Sequence, residues 1–249
     1  MTAPLHLPHE SAHDAAGAFR IALVALRVLL ATLMVTATFA QLANYEVFWR
    51  RIGLHDLPLR TGNFFSAFTF DTNLLAALVL VAGAVLVVRR ADEPAWFSTV
   101  RLSVLAAMII VGVVYQLLLS GTRPAPGEQL NWANTVVHVI APFGIAIDWL
   151  VAPHTKRLPM RSALFVLGYP VVWLTYTLIR GSLVRDELTG TSYYYPYPFL
   201  NPHGSSGWTP VLTMIGTLIV FILGIGVLGV LVARVEDSVS RRVLLRHAI

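Results

Sequence analysis

The sequence predicts an all-α, polytopic membrane protein: a six-transmembrane-helix bundle with both termini in the cytoplasm. Three observations predict it. Of the 249 residues, 56% are hydrophobic and 12% charged, where a soluble domain carries roughly 25% charged residues. Six separate stretches are predominantly apolar over about 20 residues each, the length a helix needs to cross hydrocarbon. The basic residues cluster at the ends of these stretches, where they set orientation.

Taken in order, residues 1–19 read as a polar cytoplasmic tail. Its His6, His9 and His13 offer a metal-binding trio, but a disordered tail is the better reading of them, and no metal is expected. The first span runs over about 20–43. Its apolar run exceeds the roughly 7–15 residues of a signal-peptide core, so it reads as a retained helix. The second span, about 63–88, is closed by Arg89, Arg90 and Pro94. The third, about 98–119, ends at the breakers from Thr122 to Pro126. The fourth, about 132–152, stops before Pro153 to Pro159, and the fifth covers about 161–180. A long connection, about 181–208, leads to the sixth span at about 209–233. The transmembrane domain is thus 20–233, followed by a basic cytoplasmic tail, 234–249, with Arg234, Arg241, Arg242 and Arg246.

Charge places the ends. Counted with the adjoining span ends (Arg20, Arg101, Arg161 and Arg180), the amino tail, the second and fourth loops and the carboxyl tail hold eleven Lys and Arg, against six in the other three loops. Excess positive charge stays cytoplasmic, which puts both tails inside. The formal charge of +5 therefore reports topology, and no nucleic-acid partner is expected. Membrane lipids or a lipid-like ester are the expected partners, in the plasma membrane; the composition leaves the oligomeric state open.

Several chemistries are excluded. There is no cysteine, hence no disulfide, thiolate metal site or cysteine nucleophile. Gly-x-Ser-x-Gly, His-Glu-x-x-His and a phosphate loop are missing. Gly204-Ser205-Ser206-Gly207 reads as a flexible loop. No glycine-rich filter or matched pair of broken helices signals a channel or carrier. No cofactor is expected.

Polar side chains in hydrocarbon are costly without a partner, so their positions inform. Under this topology the second and fourth spans both run inward from the outer face. Thr69 lies about six residues into one and His138 six or seven into the other, each roughly 9–10 Å below its helix start. They share a depth in the outer half. Asp71, Asn73, Asn134, Tyr115, Gln116, Tyr176, Arg180, Gln41 and Asn44 gather near that level, with Asn134 one turn from His138 on the same face. Arg27 and Asp148 lie toward the cytoplasmic side. Asp148 is about 15 Å along the helix from His138, too far to orient the imidazole.

Each residue also has a purely structural reading. Threonine commonly bonds back to its own helix, and Asn73 and Asn134 suit interhelical glue. Tyr193, Tyr194, Tyr195, Tyr197 and Trp208 match an interfacial aromatic belt. Arg180 suits an interfacial charge beside phosphate headgroups, or a partner for a substrate carboxylate.

The pattern Trp132-x-Asn134-x-x-x-His138, followed by Pro142-Phe143, resembles the androgen-induced-gene family of six-span membrane hydrolases. Phe68-Thr69-Phe70, Gly168-Tyr169 with Trp173, and Tyr197-Pro198-Phe199-Leu200 with Gly204 agree in order, so the resemblance spans about residues 60–230. The chain is also similar to a bacterial group of small six-span proteins usually left without an assigned activity. The spacing from His138 to Pro142 and the insert between Arg180 and Tyr193 depart from the animal members. The resemblance implies a threonine hydrolase cleaving fatty acid esters of hydroxy fatty acids, with Thr69 as nucleophile and His138 as general base. Asn134, Asn73 and Tyr115 are candidate oxyanion donors. Asp71 points about 200° around the helix from Thr69, away from the imidazole. Two other readings stand beside this one: a non-catalytic lipid-binding or sensory bundle, and a small transporter whose polar path would be lined by Arg27 and Asp148.

Overall fold

A chain crossing hydrocarbon must satisfy every backbone N–H and C=O internally, and this chain does so with helices. The computed structural model describes residues 8–152 and 158–246, with side chains over 15–152 and 158–235. The side chains of His6, His9, His13, Lys156, Arg241, Arg242 and Arg246 lie outside that set. Among the described residues there is no strand. Six helices are long and apolar enough to cross a membrane: Ala15–Arg51, Phe68–Val88, Ala95–Leu119, Asn131–Val151, Ser162–Gly181 and Trp208–Val235.

Helix ends differ from expectation where local chemistry intervenes. The first helix extends over Pro8–Arg51 and the last over Trp208–Arg246, so both run on into the tails. The second span begins at Phe68 and not near 63. Residues Leu57–Phe64 form a separate short helix, started by Pro58 and by Asp56, whose carboxylate accepts from the Leu59 N–H at 3.1 Å. An Asp cap and a proline in the first turn both start helices. The chain then reverses through Phe65–Ala67. The fifth span is jointed between Phe165 and Gly168, because Pro170 has no N–H to return to the preceding turn.

The third span is central and touches the second, fourth, fifth and sixth; the first packs against the second and fourth. Leu102, Met108, Ala106, Ala76 and Met34 are fully enclosed between them. The outward side chains of the spans are apolar too: Leu117, Val172 and Val220 are each 70% or more exposed. A helix apolar on all sides belongs in lipid.

At one end of the bundle, Gln41 and Asn44 of the first span hold the loop before the fourth. Gln41 Nε2 donates to the Glu128 carbonyl at 3.1 Å and its Oε1 accepts from the Leu130 N–H at 2.9 Å; Asn44 donates to Gly127 and Glu128. Toward the opposite end, Asp148 accepts from Arg27 Nε at 2.6 Å and from Arg101 at 2.9 Å. Arg101 also pairs with Glu93 at 2.8 Å, and Glu93 accepts from Ser98 at 2.6 Å. Among the described residues, these two cations and two anions share one buried cluster. An apolar layer of Ala77, Leu80, Leu105, Met108 and Ile145 separates it from the polar groups at the other end.

Candidate active site

The third and fourth spans each carry a widened helical turn, and the polar groups collect there. Val136–Ile140 and Tyr115–Leu119 are π turns, a form frequent at functional sites. The first has a cause in the sequence: Pro142 cannot donate to the His138 carbonyl, and its ring crowds that oxygen. The bond instead runs from the Ala141 N–H to the Val136 carbonyl. Gly112 lets the third span approach; a Cβ there would sit 3.2 Å from Pro142 Cβ. This close passage lays the Tyr115 ring on the His138 imidazole, with centroids 3.9 Å apart and planes 21° from parallel.

Thr69 enters from the second span. It lies in the first turn of the helix, after the extended Ala67, and is only 7% exposed. Its Oγ1 is 3.3 Å from His138 Nε2 and 3.4 Å from the Tyr197 hydroxyl. Thr32, Thr99, Thr135, Thr175, Thr213 and Thr217 all donate back to the carbonyl four residues earlier. Thr69 does not, so the structural habit of membrane threonines does not account for its hydroxyl.

The imidazole is oriented from its other nitrogen. His138 Nδ1 lies 3.1 Å from the Asn134 carbonyl. A carbonyl only accepts, so Nδ1 carries the proton, and Nε2 of the neutral ring presents its lone pair to Thr69. Asp71 makes no hydrogen bond to His138 among the described residues.

The other sequence candidates are placed around this pair. Asn73 Nδ2 donates to the Thr69 carbonyl at 2.8 Å and the Val137 carbonyl at 3.2 Å, tying the second span to the fourth. Its Oδ1 is buried without a partner. Asn134 Nδ2 donates to the Tyr115 hydroxyl at 2.6 Å and its Oδ1 accepts from Gln129 at 2.7 Å. None of these three reaches Thr69 Oγ1. Arg180 stands apart: it donates to Asn63 Oδ1 at 2.7 Å and Ser66 Oγ at 3.5 Å, with no carboxylate in ion-pair range among the described residues. No protein-family model, curated protein or solved structure matches this chain.

Sequence reasoning left Tyr197 in the aromatic belt. The structure folds the fifth-to-sixth connection back into the bundle, where Pro198–Leu200 make one tight turn with Leu200 buried. Tyr197 stacks on Phe199 at 5.2 Å, neighbours Trp173 at 5.9 Å, and accepts from the Thr69 N–H at 3.3 Å. The available signal was the Tyr-Pro-Phe-Leu motif itself, which an interfacial role does not need.

Thr69 and Tyr197 open into a chamber between the third, fifth and sixth spans. It is a cavity of about 90 Å³, lined by Phe68, Ile110, Val114, Trp173, Leu218, Ile219 and Ile222 among others. Nearly every lining atom is hydrocarbon. His138 faces a second apolar groove with Gly112, Gln116, Pro142 and Phe143. The polar pair therefore sits at the wall between two spaces suited to alkyl chains.

Proposed function

We propose that this protein is an integral-membrane lipid ester hydrolase with Thr69 as nucleophile and His138 as general base. The observation that carries it is the 3.3 Å contact between Thr69 Oγ1 and His138 Nε2, inside a chamber otherwise built of hydrocarbon. Hydrogen-bond reach between nucleophile and base is the geometric requirement for this chemistry. A separation beyond about 8 Å would have favoured a non-catalytic lipid-binding bundle.

In the first half-reaction Thr69 Oγ1 forms a bond to the ester carbonyl carbon while its proton moves to His138 Nε2. The carbonyl π pair moves onto oxygen. Collapse breaks the bond to the alkoxide, which takes the proton from Nε2–H and leaves as the alcohol. Water, deprotonated by the same nitrogen, then bonds to the acyl carbon; the bond to Oγ1 breaks, Oγ1 takes the proton back from Nε2–H, and the acid is freed. The chamber beside Thr69 holds an acyl chain, which suits fatty acid esters of hydroxy fatty acids, as the motif resemblance implies. With both tails cytoplasmic, the site lies in the outer leaflet of the plasma membrane. The transporter reading lacks support: Arg27 and Asp148 are locked in a buried ion-pair cluster beside a cavity of about 10 Å³, room for about one water.

The test is labelling of purified protein by a fluorophosphonate probe and hydrolysis of p-nitrophenyl fatty esters. Thr69→Ala should lose labelling and at least about 1,000-fold in turnover, and His138→Ala should lose activity while still reaching the membrane. Undiminished labelling and esterase activity in Thr69→Ala would end this reading.

A further inference from the structure

We infer that Tyr197 is a further catalytic residue: its phenol O–H is the donor that receives the charge developing on the ester carbonyl oxygen as Thr69 attacks. The inference rests on the hydrolase reading above.

Attack by a hydroxyl needs a fixed donor about 3 Å from where the oxyanion forms. The asparagine amides are already spent. Asn73 donates to two backbone carbonyls and Asn134 to Tyr115, and neither approaches Thr69 Oγ1. The Tyr115 ring lies flat on the imidazole, its oxygen accepts from Asn134, and its hydroxyl makes no hydrogen bond to Thr69 Oγ1. Tyr197 alone among these donors reaches the reacting atom, its hydroxyl 3.4 Å from Thr69 Oγ1.

The direction of its proton follows from its other contact. The Tyr197 oxygen accepts from the Thr69 N–H at 3.3 Å, so the oxygen is fixed and its own hydrogen is free to point at the Thr69 side chain. Accepting that bond also polarises the O–H into a better donor. In the resting site the donors run in one direction: Tyr197 O–H to Thr69 Oγ1, Thr69 O–H to His138 Nε2, and His138 Nδ1–H to the Asn134 carbonyl.

When Oγ1 bonds to the carbonyl carbon, the carbonyl oxygen comes to lie roughly 2–3 Å from Oγ1. A phenol 3.4 Å from Oγ1 then transfers its hydrogen bond from the threonine to the new oxyanion by a small rotation of one hydrogen. No proton leaves Tyr197; the negative charge formed by the displaced π pair is held until the alkoxide departs. The ring lines the chamber beside Thr69, so an ester seated at Thr69 faces it. The ring is braced by Phe199 and Trp173, and the Trp173 indole donates to the Ser66 carbonyl at 3.1 Å.

The experiment uses the full chain in nanodiscs and p-nitrophenyl decanoate. Three proteins are compared: wild type, Tyr197→Phe, and protein with 3,5-difluorotyrosine at position 197. Tyr197→Phe should lower kcat about 100-fold, leave KM within about twofold, and slow fluorophosphonate acylation in proportion. The difluoro protein keeps the shape and the hydrogen bond but ionises at lower pH, so its kcat should fall at a lower alkaline pH than that of wild type. A Tyr197→Phe enzyme retaining a third of wild-type kcat overturns the role, as does a loss confined to KM. If the Phe variant fails to fold, an alkaline limb unmoved by difluorotyrosine overturns it instead. Activity abolished by Thr69→Ala but indifferent to Tyr197 removes only this residue's role. A wild type that neither labels nor hydrolyses overturns both.

Discussion

Asp148→Asn tests the packing energetics of the bundle most directly. The carboxylate serves two guanidinium groups, at 2.6 Å from Arg27 and 2.9 Å from Arg101, with all three side chains 6% exposed or less. The substitution keeps the volume and removes one charge, leaving Arg27 and Arg101 without their shared carboxylate in a space that admits about one water. Removing one partner of a buried ion pair costs about 3–5 kcal/mol. An amide oxygen still accepts one hydrogen bond, so we expect about 3 kcal/mol. Arg27→Met alone leaves Asp148 with Arg101 as its remaining guanidinium partner among the described residues and is also costly. The double variant removes both members of the Arg27–Asp148 pair, so its loss should fall short of the sum of the singles by about 1–3 kcal/mol. Denaturant unfolding in mixed micelles, followed by tryptophan fluorescence, measures this. Trp149, with the Arg101 guanidinium 5.5 Å from its ring, reports on the cluster itself. A single-variant loss below about 1 kcal/mol, or strict additivity, would refute the claim that ion pairing in a dry interior governs this end of the bundle. Turnover by the folded variant should stay near wild type, since Asp148 lies about 15 Å along the helix from His138.

Asn73→Ala should cost about 1–3 kcal/mol of stability and lower turnover as well, because it unties the Thr69 carbonyl from the fourth span; thermal unfolding and ester hydrolysis on one preparation check both. Ile219→Trp fills part of the chamber beside Thr69, and the preferred p-nitrophenyl ester should shift to shorter acyl chains; an unchanged chain-length profile would show that the acyl chain lies elsewhere. Burial raises the phenols of Tyr194 and Tyr197 above their ordinary value, so the folded state holds these protons more tightly than the unfolded chain. Their stabilising contribution is complete below about pH 10 and is lost as pH rises beyond it. Unfolding midpoints at stepped alkaline pH, with tyrosinate absorbance, should show stability and ionisation changing together.

The spans were legible because the signal is local: a run of apolar residues must form a helix in hydrocarbon whatever surrounds it. Their ends were less so. The second span was expected from about 63 and starts at Phe68, since Asp56 and Pro58 begin a separate helix, a contest between caps that hydropathy does not register. At the site, similar distances along two helices suggested that Thr69 and His138 share a depth, and the structure brings them into contact. Depth carries no information on rotation, however. The asparagines and Tyr115, at the same level, turned out to orient or brace the pair and to stand away from the Thr69 hydroxyl. Tyr197 was hidden for a different reason. It belongs to a connection that folds inward, and an aromatic residue near a span end looks the same in sequence whether it faces headgroups or a buried threonine.

By itself, then, the sequence determined that this is a membrane protein of six helices, and it marked the polar residues too costly to leave unpartnered in lipid. Only the tertiary structure decided which of them meet. Residues 69, 138 and 197 come from three segments far apart in the chain. Their contacts depend on helix rotation, on the widened turn before Pro142 and on the path of a returning loop. Those are set by packing across the whole bundle, and no stretch of sequence holds them alone.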